Sequence, residues 1–101
     1  MHCLTVLYPT PEDPEGFRDY YVNTHLPLAA GLQGVIRSTF AFPEQMGPGE
    51  APFCIFQAYF PDAQTMGAAL ASEQGQKIAA DVPNYSPKGA VLCNFPVEDA
   101  P

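Results

Sequence analysis

The sequence predicts an α+β fold of the ferredoxin-like kind, with the element order βαββαβ over residues 1–101 as one domain. Two patterns carry this. Four apolar, β-branched or aromatic runs, 2-HCLTVLY-8, 35-VIRSTFAF-42, 53-FCIFQAYF-60 and 90-AVLCNF-95, are cut off by proline- and glycine-rich punctuation. Between the first pair and between the last pair lie stretches with helical spacing. The implied architecture is a four-stranded antiparallel sheet with two helices on one face.

Each element has a local cause. Strand one must stop at 9-PTPEDP-14, where three prolines fall in six positions. Asp13 then opens a helix: its carboxylate can accept from orphan backbone N–H groups, Pro14 fits the first helical position, and Glu15 suits the positive end of the dipole. Within that helix Phe17, Tyr20, Tyr21, Thr24 and Leu28 form an apolar stripe. The glycines of 31-GLQG-34 suit a left-handed cap and turn. Strand two leads into the loop 43-PEQMGPGEAP-52, and strand three follows as a near-continuous apolar run of the kind buried on both faces. Asp62 can cap a second helix carrying Ala63, Met66, Ala69 and Leu70, with a break expected near Gly75 and a continuation through 76-QKIAAD-81. The loop 82-VPNYSPKG-89 precedes strand four.

Helices on one face leave the other apolar face of strand three in need of a cover. A second copy of the chain, associating sheet to sheet, would supply it. A homodimer is therefore expected.

Composition narrows the function. Four basic residues against eleven acidic ones give a net charge of −7, without a basic cluster to engage a phosphate backbone or an anionic membrane. Neither nucleic acid nor membrane is an expected partner. The start, MHCLTVLY, has neither the basic region nor the long apolar core of a signal peptide, so a cytoplasmic location is expected. Cys3, Cys54 and Cys93 are odd in number and lie within apolar runs, where a reduced thiol packs as a small hydrophobe. Two histidines, without an H-x-x-x-H pair or carboxylates at ligand spacing, predict no metal site. No Gly-rich loop offers a seat for a nucleotide, so no cofactor is expected. Haem held by a single histidine is the one cofactor route left open.

The stretch 20-YYVNTHLPLA-29 sets a histidine two residues before a proline inside a helical pattern. Pro27 removes one backbone bond and crowds the carbonyl of Asn23, so the helix should kink or loosen there. His25 beside that defect has two readings. It is a structural ring satisfying a nearby group, or a general acid/base whose imidazole titrates in the neutral range.

Three segments in order, 4-LTVLYP-9, 14-PEGFRDYYVNTHLPLA-29 and 72-SEQGQKIAADVPNYSPKG-89, resemble the EthD family. The resemblance extends over nearly the whole chain. It departs from the family pattern at Gln33-Gly34, where Pro-Gly is frequent, and at Tyr85, where Phe is common. It implies a ferredoxin-like subunit that pairs as a dimeric α+β barrel, with a small-molecule cavity between sheet and helices. Similar proteins include a methylmuconolactone isomerase and fungal polyketide dehydratases. In isomerase-like members the histidine of the Tyr-x-x-x-His-x-Pro motif lines the pocket, and His25 is the matching position; the cysteine of those members has no clear match among Cys3, Cys54 and Cys93.

The resulting expectation is a cofactor-free isomerase, cyclase or dehydratase acting on a small unsaturated or aromatic oxygenated metabolite. His25 is the candidate general acid/base and Tyr21, one turn earlier, the candidate group that orients the substrate. Asn84 and Tyr85 are candidate ligand-binding residues at the rim. The alternative is a non-catalytic binding or accessory protein for an oxidative degradation or biosynthetic pathway.

Overall fold

A computed structural model of the chain describes residues 1–101. Its strands are β1 (His2–Tyr8), β2 (Arg37–Ala41), β3 (Cys54–Phe60) and β4 (Val91–Pro96), in the sheet order β2-β3-β1-β4. Every neighbouring pair is antiparallel. Helices α1 (Pro14–Tyr20) and α2 (Leu26–Ala29) form one continuous rod through a π-helical turn at Tyr21–His25. Helices α3 (Ala63–Ala71) and α4 (Glu73–Asp81) follow β3, and a short 3₁₀ turn, Val82–Asn84, leads toward β4. This is the predicted ferredoxin-like α+β fold. No helix is long and apolar enough to cross a membrane.

Strand alternation sorts the sheet into two faces. In register, Leu4 lies opposite Ala58, Val6 between Phe56 and Leu92, and Tyr8 opposite Cys54. Leu4, Val6, Tyr8, Cys54, Ala58 and Phe60 are buried under the helices with Phe17, Tyr21 and Met66. Phe17 is the centre of this core. Its ring stacks on Tyr21 at 5.4 Å and meets Tyr8, Phe53 and Tyr85 edge-on at 5.1–5.4 Å. Such pairs add about 0.5–1.5 kcal/mol each beyond area burial, so truncation to alanine would cost about 3–5 kcal/mol.

On the opposite face Cys3 and Thr5 of the central strand β1 are buried, but the strands beside it are more open. Ile55, Gln57 and Tyr59 of β3 are only half-buried, so the double burial expected of this strand is not met within one subunit. Val91 and Phe95 of β4 are exposed, as is Cys93, which does not pack as the small core hydrophobe its apolar setting suggests.

Two helical features differ from the expected ones. The break in the second helical stretch falls at Ser72, before Gly75, because the Ser72 hydroxyl both donates to the carbonyl of Ala69 (2.6 Å) and accepts from the N–H of Gly75 (3.1 Å). It thus closes one helix and caps the next. Gly75 is the residue that permits this corner: a Cβ there would collide with the carbonyl oxygen of Ala69. In the first helix, Thr24 is exposed and His25 buried, the reverse of the predicted stripe. The π turn explains it. Bonding across five residues takes more residues per turn, so the buried positions run Phe17, Tyr21, His25 at a constant spacing of four.

Candidate active site

The π turn sits directly ahead of Pro27. A proline there cannot donate to Asn23, and an unbroken α-helix would press its ring onto that carbonyl. The backbone instead closes a wide turn in which the N–H of Leu26 donates to the carbonyl of Tyr21. The result turns His25 inward, 4% exposed, between two phenol rings. Tyr21 stacks on the imidazole at 5.5 Å, and Tyr85 tilts over it at 4.6 Å.

One end of the imidazole is fixed. His25 Nδ1 lies 2.9 Å from Oδ2 of Asp81, the last residue of α4. Asp81 also accepts at Oδ1 from the Tyr20 hydroxyl (2.6 Å) and from the side-chain amide of Asn84 (3.0 Å). A carboxylate at the C-terminal end of a helix meets the negative end of the dipole, so its position needs compensation. The three donors supply it. Burial pushes the Asp81 carboxyl upward, but the hydrogen bonds from Tyr20, Asn84 and His25 outweigh burial and hold it below the usual carboxylate range. An ionised carboxylate only accepts, so Nδ1 carries the hydrogen, and in the neutral ring Nε2 bears the lone pair.

Nε2 makes no hydrogen bond to the protein, and it is not a sealed orphan: the one sealed, unpartnered polar side-chain atom is Tyr21 Oη. His25 forms part of the wall of an apolar cavity of about 330 Å³ between sheet and helices. Leu4, Val6 and Phe56 form its sheet side, and Leu70, Ile78 and Val82 belong to the helical side. Tyr8 is its only other side chain with a hydrogen-bonding group. The Tyr8 hydroxyl is 2.7 Å from that of Tyr85. Burial drives the phenols of Tyr8, Tyr21 and Tyr85 upward, so all three are neutral donors rather than bases.

The candidate residues are thus brought near one another but divided between two concavities. His25 borders the apolar cavity. Tyr21 supports its ring, yet the Tyr21 hydroxyl is fully buried and Tyr21 does not border the cavity, so Tyr8 is the tyrosine that does. Asn84 and Tyr85 border a separate groove of about 450 Å³, beside Pro9, Asp13, Tyr20 and Lys88. Tyr85 joins the two by packing on His25, and Asn84 by its bond to Asp81. Cys54 is sealed in the core, with burial pushing its thiol up to about 11, and is no nucleophile at neutral pH.

Sequence reasoning assigned no role to Asp81, Tyr20 or Tyr8. For Asp81 a signal existed: it closes a helical pattern, one residue before the Val82-Pro83 stop, where an acidic residue is disfavoured. Tyr8 and Tyr20 carried none, because a strand-end and a helical tyrosine are ordinary core residues until their neighbours are known.

Fold and site together define a ferredoxin-like α+β protein with a histidine–aspartate pair against an apolar cavity. The chain belongs to the EthD family: the EthD domain model matches residues 9–88. It is 31% identical over 93 residues to the uncharacterized 11.0 kDa protein in the thcB-thcC intergenic region of Rhodococcus erythropolis, covering 91% of this chain and 90% of that protein. An EthD family protein from Bacillus halodurans superposes with a TM-score of 0.86 at 24% identity, over 97% of this chain and 99% of that one. The fold alone is shared more widely. A dimeric ferredoxin-like protein of Thermobifida fusca gives a TM-score of 0.72 at 11% identity, covering 95% and 90% of the two chains. SnoaB of Streptomyces nogalater, a cofactor-independent oxygenase, gives 0.67 at 15% identity, covering 98% and 94%.

Proposed function

We propose that this EthD protein is a cofactor-free enzyme that moves a proton on a small apolar metabolite, with His25 as general acid/base. The observation that carries the reading is the polarity of the imidazole: Nδ1 is tied to Asp81, while Nε2 is left without a protein partner on a ring that borders an apolar cavity. Asp81 holds the tautomer and stabilises the imidazolium formed when Nε2 takes a proton; the same proton is then returned to another atom of the substrate. Isomerisation, cyclisation and dehydration all reduce to such a transfer. Tyr8 donates to the substrate oxygen, and Tyr21 and Tyr85 hold the ring plane. The cofactor-independent chemistry of SnoaB supports the view that this fold can house a reaction on protein groups alone.

The active unit is proposed to be a homodimer joined through the open sheet face, where Leu7, Ile55, Tyr59, Val91 and Phe95 are gathered by strand alternation. The dimeric Thermobifida neighbour supports it. Light scattering at micromolar concentration should give twice the chain mass, and a persistent monomer would overturn this assembly.

The catalytic reading is tested by identifying what the purified protein retains in a native mass spectrum and following its turnover. His25→Ala should leave folding and mass intact and slow turnover by about 10²- to 10⁴-fold. Unchanged turnover would remove His25 from the chemistry. Retained ligand without turnover in the wild type would instead assign the cavity to carrying a metabolite.

A further inference from the structure

We propose that the cavity beside His25 takes uncharged ligands, rejects the corresponding carboxylates, and engages through His25 those that bear an ionisable hydroxyl or an enolisable carbonyl. This rests on the reading of His25 as the proton-transfer group and narrows its substrate class.

The argument is a census of charge. None of the four cations of the chain borders the cavity. The Arg18 guanidinium lies over the ring of Phe42 at 4.3 Å. Arg37 is exposed on β2, where its register partner is Tyr59 of the open face. Lys77 is solvent-facing and pairs with Glu73, and Lys88 donates to the carbonyl of Thr10. The hydrogen-bonding side chains on the cavity wall are those of His25 and Tyr8, both neutral when Asp81 is ionised and the imidazole holds one hydrogen. The formal charge in contact with a lining residue's imidazole is the Asp81 carboxylate at Nδ1, and it is negative.

A ligand carboxylate entering this space loses its water and finds neither a cation nor a cluster of donors, which is the costly way to bury a charge. A hydroxyl or enol enters neutral. It donates to the Nε2 lone pair, and a negative charge arises on its oxygen only as the proton passes to the imidazole, so that the cation forms between ligand and Asp81 at the moment it is needed. At about 330 Å³ the cavity lies at the small end of ligand sites, which run from about 300 to 1,000 Å³, a size suited to a bicyclic aromatic rather than a large polyketide.

The test uses probes of one skeleton. Binding of 1-naphthol, methyl 1-naphthoate and 1-naphthoate is measured by calorimetry at about pH 8, where an ordinary imidazole is neutral. Naphthol and the methyl ester should bind, and naphthoate should bind at least about 10-fold more weakly than its slightly larger ester. Ala79→Leu, which narrows the cavity, should weaken naphthol and ester together; His25→Ala should weaken naphthol while sparing the ester. Naphthoate binding as tightly as the ester would overturn charge selection and leave the His25 reading standing. Equal naphthol affinity in wild type and His25→Ala would sink the reading of His25 beneath it. Failure of naphthol and ester to bind at all would overturn both.

Discussion

Replacing Asp81 by asparagine tests the site without knowledge of a substrate. In the wild type, Oδ1 of Asp81 accepts from Tyr20 and Asn84, and Oδ2 faces His25 Nδ1 at 2.9 Å. An asparagine keeps two of these contacts by placing its carbonyl oxygen toward Tyr20 and Asn84. Its NH₂ then faces Nδ1. Two donors cannot share that contact, so Nδ1 must become the acceptor and the ring hydrogen moves to Nε2, removing the lone pair on the cavity side. Restoring the basic tautomer would leave an unmade buried hydrogen bond costing about 1–3 kcal/mol. The imidazolium also loses a counter-charge worth up to about 4 kcal/mol, taking charges roughly 4 Å apart at an effective dielectric of 20. The two effects overlap. A net loss of about 3–5 kcal/mol from the transition state corresponds to a rate about 10²- to 10⁴-fold lower.

Stability should change far less, by about 1–2 kcal/mol, because all three contacts survive in neutral form and the Asp81 side chain retains 12% of its exposure. The direct assay is the ¹⁵N shift of the imidazole nitrogens at about pH 8. His2 is the only other histidine, half-exposed on β1, and serves as the internal control. Wild-type His25 should be protonated at Nδ1 and the variant at Nε2. A wild-type ring already carrying its hydrogen on Nε2, or a variant with an unchanged tautomer, would refute the reasoning.

Three further outcomes follow from the same contacts. Asp81 and Asp62 are both held below the usual carboxylate range, Asp62 chiefly by the N–H of Thr65, so each adds stability that is complete above an unfolded value of about 3.9 and is lost as pH falls through the folded value. The melting temperature should be level from about pH 5 to 7 and drop below about 4, less steeply in Asp81→Asn; a rise on acidification would contradict the sign. Tyr21→Phe removes the sealed, unpartnered hydroxyl and should be neutral or stabilising by up to about 1–3 kcal/mol in chemical denaturation, whereas a clear loss would mean that the hydroxyl is bonded. Gly75→Ala forces a methyl group onto the carbonyls of Ala69 and Leu70 and should cost about 1–3 kcal/mol, while Gly67→Ala, with open space around it, should be neutral or stabilising; equal effects would show that the Ser72 corner yields easily.

The fold was legible in the sequence because its signals are local. Prolines end β1, Asp13 and Asp62 cap helices with bonds to Gly16 and Thr65, and strand alternation sorts the faces without knowledge of the partners. Gly34 takes the expected left-handed backbone, with φ of 85°. The site was legible only in part. His25 stood out through the adjacent Pro27, but its partner lies 56 residues away at the end of another helix, a separation over which spacing carries no information. Tyr21 shows the same limit: one helical turn places its ring beside His25, but only the packed core decides where the hydroxyl ends, here sealed from solvent.

The change of helical phase links the proline to the proposed chemistry. Read as a regular helix, the first helical segment would carry Thr24 and Leu28 inward, and its buried stripe would end in apolar or weakly polar groups. The π turn lengthens one step of that stripe, so that the position four residues beyond Tyr21 turns inward and meets α4. Such a turn gives up regular backbone bonding, and packing alone offers no return for it, since an inward leucine would bury more apolar surface than an imidazole that must be paired. What it brings inward is the one histidine of the segment, held at Nδ1 by Asp81 and without a protein partner at Nε2. The Nε2 without a protein partner is where the irregular turn, the proline behind it and the carboxylate at the end of α4 converge, and it is the atom on which the proposed proton transfer rests.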